Sequence, residues 1–293
     1  LAPAPGAGGV DRLAALAATC GVELSGIEPS AGGEGVARIR RVGRRLRANG
    51  LAPEAAEPVV ECAVLYSAEA DLWTQGRHRI AVERAVECLA ALHVQAAVVT
   101  QVARAPAGAA LALADAAALS PAEAKEVRRR LEAGAPVLAF GEPGAVDEAG
   151  RPGAAFLPAA KASGTKVGEG TLVGLPPLVP ERGGALPAGL VDKAAAAVLG
   201  KGRRAAGVVS RVPIVVALHR TDGTLLVHLV GPDDEPARGT TLFLGVHVAG
   251  GARRARFVSA EGADVRIPLN PSGYSLSTVL PAFRGYAVLS LAP

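Results

Sequence analysis

Asp71, Trp73 and His78 stand close together between the apolar run ending at Ser67 and a helical pattern over 79–92. They combine a carboxylate, an indole face for stacking and an imidazole whose charge changes near neutral pH. Beyond the carboxyl end of a strand, such a trio could touch a ligand. The imidazole could instead cap the helix it begins or bridge two domains, and the indole could stack on a sugar ring or fill an interface. Glu142 is a fourth candidate, because it follows Gly141 where another apolar run ends. These four are the candidate ligand-binding residues, and none is assigned a catalytic role.

Other chemistries find less support. Cys20, Cys62 and Cys88 are odd in number and lack the spacing of a zinc site or a disulfide framework, so they read as buried thiols. His219, His228 and His247 fall in different predicted strands, while His78 and His93 flank one helix. No metal or other cofactor is therefore expected. Gly6-Ala-Gly-Gly9 and Gly32-Gly-Glu-Gly35 follow no clear strand, which makes them poor phosphate cradles. Asp147 and Glu148 are adjacent and read as solvated turn residues.

The elements that must position the candidates have a consistent order. Val59–Ser67 is a nearly continuous apolar run suited to a strand covered on both faces. The helix over 79–92 follows, with Val82, Val86 and Leu89 on one stripe, and then buried strands at Val94–Val99 and Ala110–Ala114. Ser120, Pro121 and Glu123 form a capping box with proline at the first helical position, and Gly134 suits a left-handed helix end. Pro136–Phe140 then enters the sheet as a further strand. This alternation predicts an open, mainly parallel α/β sheet whose strands end at Tyr66, Ser67, Thr100, Asp115 and the Gly141-Glu142 turn. Gly170–Val173 is a further short strand candidate, and Val191–Leu199 an Ala-rich helix.

Near residue 207 the apolar period becomes two. Strands are predicted at 212–220, 225–230, 241–248, 255–259, 265–268, 275–280 and 286–291, with Thr221-Asp-Gly-Thr224 as a hairpin and Asn270-Pro271-Ser-Gly273 as a turn. Closely spaced strands without helices predict a small antiparallel β-sandwich. The expected division is 1–58 for a tail and basic helix, 59–205 for the α/β domain and 206–293 for the sandwich.

Composition narrows the partners. Aromatics are 3% of the 293 residues, so the core must be built from Val, Leu and Ala. Net charge is +4, with much of the excess in Ala37–Arg47, where Ile39, Val42 and Leu46 form an apolar stripe between arginines. That amphipathic helix could meet phosphates, but no aromatics interleave to stack bases, so it is read as packing on a neighbouring domain and nucleic acid is not expected. No long uncharged apolar run argues for a membrane span, and the opening residues lack the pattern of a signal peptide. A soluble protein, cytoplasmic rather than secreted, is expected. The absence of methionine and the initial leucine suggest a piece of a longer product.

Val64-Leu-Tyr-Ser67, the helix at His78, Leu119-Ser-Pro-Ala-Glu123, Leu138-Ala-Phe-Gly141 and Asp147-Glu-Ala-Gly-Arg-Pro152 resemble the middle, trimerisation domain of family 42 glycoside hydrolases. That domain is similar in fold to class I glutamine amidotransferases. Leu226-Val-His-Leu229, Phe257-Val-Ser259 and Phe283-Arg-Gly-Tyr-Ala-Val-Leu289 look like the small β-domain that closes such enzymes. The family's catalytic (β/α)8 barrel would precede both, with at most its last helix, Ala37–Ala48, present here. Glycoside hydrolysis needs two carboxyls roughly 5 to 10 Å apart. Glu23 and Glu28 are conceivable barrel remnants, but neither is assigned. Amidotransferase chemistry would need a cysteine on the turn after a strand, where this chain reads Leu113-Ala-Asp-Ala-Ala-Ala118.

The resemblance implies a non-catalytic accessory and oligomerisation part of a β-galactosidase-like protein. It implies a homo-oligomer that helps wall a site for a galactoside or another sugar held by the missing barrel. The alternatives are a carbohydrate-binding module, or a free-standing hydrolase with its site at the strand carboxyl ends.

Overall fold

The computed structural model describes residues 56–147, 151, 160–161, 163–179, 192, 199, 204–232 and 234–292. Cys20, Glu23, Glu28, Glu148, both glycine-rich segments, the basic helix and most of the helix expected over 191–199 lie outside the described residues. The chain divides into two compact units, Val60–Arg204 and a second that joins Ala205–Pro293 to the segment ahead of Val60. That segment contributes β1 (Glu57–Pro58), which pairs with His219 and Arg220 of the second unit.

The α/β unit runs β2 (Cys62–Leu65), α1 (Ala68–Trp73), α2 (Arg77–Ala91), β3 (Ala96–Val99), β4 (Ala110–Ala114), α3 (Pro121–Glu132), β5 (Val137–Phe140), β6 (Thr165–Val167) and β7 (Gly170–Leu175). Its sheet has the order β3-β2-β4-β5-β7-β6 and is parallel except where β6 meets β7.

The Ala-Leu-Ala-Leu-Ala run of β4 explains how both faces are covered. Ala110, Ala112 and Ala114 lie with Ala81, Val82, Ala85 and Leu89 of α2, and such small side chains let that helix approach closely. Leu111 and Leu113 meet Val127 and Leu131 of α3 on the other side. A strand sandwiched this way needs apolar residues at every position. The capping box of α3 is formed, with Glu123 N donating to Ser120 Oγ at 3.2 Å and Ser120 N donating to Glu123 at 3.1 Å. Gly134 ends that helix at φ 92°. At Gly170 an added Cβ would stand 2.4 Å from the Leu131 carbonyl oxygen, so only glycine lets β7 pass the end of α3.

β3 departs from the expected buried strand. Among the described residues it pairs only with β2, at the sheet edge, and Val98 is 52% exposed. Its apolar composition does not distinguish an edge from a centre, because neighbours set that.

The second unit contains β8 (Ala206–Val209), β9 (Val215–Thr221), β10 (Thr224–Val230), β11 (Thr241–Gly245), α4 (Val246–Ala249), β12 (Arg254–Ser259), β13 (Asp264–Pro268), β14 (Asn270–Ser272), β15 (Ser275–Val279) and β16 (Tyr286–Leu291). The antiparallel sheets β1-β9-β10-β16-β12-β13 and β14-β15-β11-β8 form a sandwich. Leu218, Leu225, Val227, Phe257 and Leu289 from one sheet share a core with Leu242, Leu244 and Leu276 from the other. The β9–β10 hairpin turns through Asp222 at φ 42° and Gly223 at φ 81°, as the Asp-Gly pair predicts.

Two local expectations fail in this unit. The strand expected over 241–248 stops at Gly245, because one helical turn puts both Val248 and Ala249 into the core, whereas a strand would face them oppositely. Asn270–Ser272, read as a turn, forms an edge strand on β15, and the chain reverses at Gly273 with φ 60°. Pro271 is tolerated on that edge because the missing donor costs no central ladder bond. Among the described residues, no helix is long and apolar enough to cross a membrane.

Candidate functional site at the carboxyl edge of the α/β sheet

Three of the four candidates gather where β2 ends. Ser67 caps α1 by accepting from Ala70 N at 3.2 Å. Its backbone N–H donates to His78 Nε2 at 3.0 Å, while His78 Nδ1 lies 2.8 Å from the Ala114 carbonyl. A backbone N–H can only donate and a carbonyl can only accept, so the hydrogen must sit on Nδ1. His78 is fully buried and stacks on Tyr66 with ring centroids 5.6 Å apart. Burial lowers its pKa, with the Ala114 bond and the Asp71 charge opposing that shift. His78 is a neutral tie between the ends of β2 and β4, with no nitrogen left for a ligand.

Asp71 is used in the same way. Its Oδ1 accepts from Arg79 N at 2.8 Å, serving the first turn of α2, and its Oδ2 accepts from the Tyr66 hydroxyl at 3.3 Å. Trp73, at the end of α1, is 52% exposed beside Leu72, which is 83% exposed. Glu142 lies on the exposed turn after β5, and no hydrogen bond or ion pair brings it to the other three. The structure thus joins Asp71 to His78 through Tyr66 and α2, and leaves Trp73 and Glu142 facing solvent.

Asp115 is the central residue that type and spacing did not single out as a candidate. It follows β4 at φ 48°, a left-handed conformation uncommon outside glycine and tolerated by aspartate. Its two oxygens accept from Leu178 N at 3.0 Å and Val179 N at 2.9 Å. Arg84 and Arg77 complete the attachment by donating to the Leu178 and Val179 carbonyls at 2.7 and 2.8 Å. Gly141, at φ 68°, passes so close that a Cβ there would lie 3.2 Å from Asp115 Oδ1. The sequence signal was a single aspartate directly after an all-apolar strand, where a capping acceptor is as natural as a reactive group.

Other nucleophile and metal readings receive no geometry. Cys62 is buried in β2, and burial pushes its thiol up to about 12, with Glu61 adding to the shift. Asp147 accepts from Arg151 N at 2.9 Å and Arg151 Nε at 2.8 Å, which makes it an ion-paired turn residue. No group of three or more metal-ligating side chains occurs among the described residues.

No family model matches the chain, and no curated protein matches it in sequence. Solved structures do. α-L-Fucosidase isoenzyme 2 from Paenibacillus thiaminolyticus superimposes with a TM-score of 0.62 at 12% identity over 98% of this chain and 57% of that one. A β-galactosidase from Bacillus circulans sp. alkalophilus gives 0.60 at 14% identity over 88% of this chain and 45% of that one. A catalytic mutant of a family 42 β-galactosidase from G. stearothermophilus gives 0.60 at 11% identity over 90% and 44%. The chain spans about half the length of these enzymes. At such identities the likeness is one of fold. The chain has the fold of part of the family 42 β-galactosidases, an α/β sheet followed by a β-sandwich.

Proposed function

We propose that this chain is the non-catalytic, oligomer-forming part of a β-galactosidase-like glycoside hydrolase. One observation carries the reading: the titratable groups gathered at the carboxyl edge, His78, Asp71 and Asp115, spend their polar atoms on backbone N–H and C=O groups or Tyr66. Meanwhile Leu72, Trp73 and Ile80 stay exposed at 83%, 52% and 41%. Groups fixed in that manner hold strand ends together, and exposed large apolar side chains suit a protein interface. The fold shared with parts of a fucosidase and of β-galactosidases supports placing the chain in carbohydrate metabolism. Bond cleavage would then belong to a catalytic barrel, with Trp73 and Glu142 available for contact to a neighbouring subunit or a galactoside.

Sedimentation equilibrium and a chromogenic galactoside test this together. The chain is expected to form a homo-oligomer without turnover, and Leu72→Ser with Trp73→Ser to give a folded monomer. A monomeric parent chain, or turnover abolished by His78→Gln, would refute the reading and favour a free-standing hydrolase.

A further inference from the structure

The outward face of the six-stranded sheet in the second unit changes character along its strands. Leu226, Val230, Val258, Tyr286 and Val288 form an apolar cluster on it. Alternate positions of the same strands continue that face, because residues 255, 257, 267, 289 and 291 point into the sandwich core instead. The continuation holds Arg254 and Arg256 of β12, Arg266 of β13, Ser290 of β16 and Thr224 of β10. With Arg253 from the preceding loop, they line an open groove of about 760 Å³.

The register makes this clustering specific. Arg256 stands directly opposite Arg266 across β12 and β13, and opposite Ser290 across β12 and β16. Like charges facing each other on one side of a sheet destabilise it, and a counter-charge relieves that cost. Asp264 supplies part of it, accepting from Arg256 Nε at 2.9 Å and Nη2 at 2.7 Å. Arg253, Arg254 and Arg266 take part in no side-chain hydrogen bond or ion pair among the described residues. Among the described residues, four arginines against Asp222 in the lining and Asp264 beside it leave an excess of two positive charges.

Guanidinium forks match carboxylate and sulfate oxygens in bidentate fashion, and the Thr224 and Ser290 hydroxyls can bond to ring hydroxyls. The groove has the volume of a small-ligand site. No aromatic side chain among the described residues lines it, so they offer the bases of a single strand no stacking surface. We propose that this groove binds an acidic oligosaccharide, one bearing carboxylate or sulfate groups. The anion preference stands on the arginines alone, whereas the saccharide assignment rests on the proposed function.

Titration calorimetry on the whole chain tests both halves, using a sulfated galacto-oligosaccharide, an oligogalacturonate, a neutral galacto-oligosaccharide, inorganic sulfate and a single-stranded oligonucleotide. Both acidic oligosaccharides should bind about tenfold or more tightly than the neutral one, and their affinity should fall as salt rises. Arg254→Ser with Arg266→Ser should lose that advantage while melting at the parent temperature. Equal binding of neutral and acidic sugars, or an unchanged affinity in the double variant, would overturn the groove. Sulfate binding as tightly as the oligosaccharides, or the oligonucleotide binding best, would overturn the saccharide assignment and leave the anion preference standing.

Discussion

The carboxyl edge of the α/β sheet and the outer sheet face of the β-sandwich unit hold similar residue types under opposite constraints. At the edge, His78 has a donor on one nitrogen and an acceptor on the other, and Asp115 has a backbone N–H on each oxygen. On the sheet face, His228 and His219 are as deeply buried, yet His228 Nε2 and His219 Nδ1 have no hydrogen-bond partner among the described residues. Further along that face, three arginines face solvent. Satisfied polar groups rigidify a structure, whereas unsatisfied ones leave it sensitive to protons or ligands. The edge is therefore read as a fastening, and the face as the part of the molecule that responds to its surroundings.

Acid should separate the two regions most strongly. Burial lowers the His228 pKa from 6.5 to about 3, with the His219 charge adding to the shift, while Tyr286 shares a hydrogen bond with His228 Nδ1. His219 lies edge-on to it with ring centroids 4.9 Å apart, and burial lowers its pKa too. The unfolded chain would protonate His228 near 6.5 while the folded chain resists, so stability is complete above that pH and falls as pH drops toward 3. The linked loss is at most about 4–5 kcal/mol. Urea midpoints between pH 7 and 4 should show this slope, and His228→Phe should flatten it.

Asp115→Ala should come next. It leaves two backbone N–H groups without their acceptor and puts alanine at a left-handed φ, an expected loss of about 2–4 kcal/mol by urea denaturation. Asp115→Asn should recover much of that, since asparagine tolerates the conformation and keeps an acceptor. Ser120→Ala removes the capping acceptor of α3 and should cost about 1 kcal/mol. Arg254→Ser should shift stability by no more than about 0.5 kcal/mol. A ranking in which the arginine matters more than the aspartate would break the contrast between fastening and responsive face.

The sequence made regular elements legible where local and global signals agreed. β4 and β16 begin and end where their apolar runs do, and α3 follows its capping box. It was less informative where neighbours decide the outcome. β3 has the composition of a buried strand but lies at an edge, and β1 and β8 are too short to leave a period. The candidate site was half legible. Proximity of Asp71, Trp73 and His78 was visible, but the backbone partners that engage Asp71 and His78 come from residues up to 36 positions away. The arginine groove was hidden because Arg256 and Arg266 meet only through strand register.

The most direct test of the fastening is nitrogen-detected NMR of the imidazoles at pH 5–8, with and without a galactoside. His78 should show the neutral form with hydrogen on Nδ1, no titration while the chain stays folded, and no shift on adding the sugar. A His78 signal that titrates near its ordinary value, carries hydrogen on Nε2 or moves with the galactoside would contradict the account.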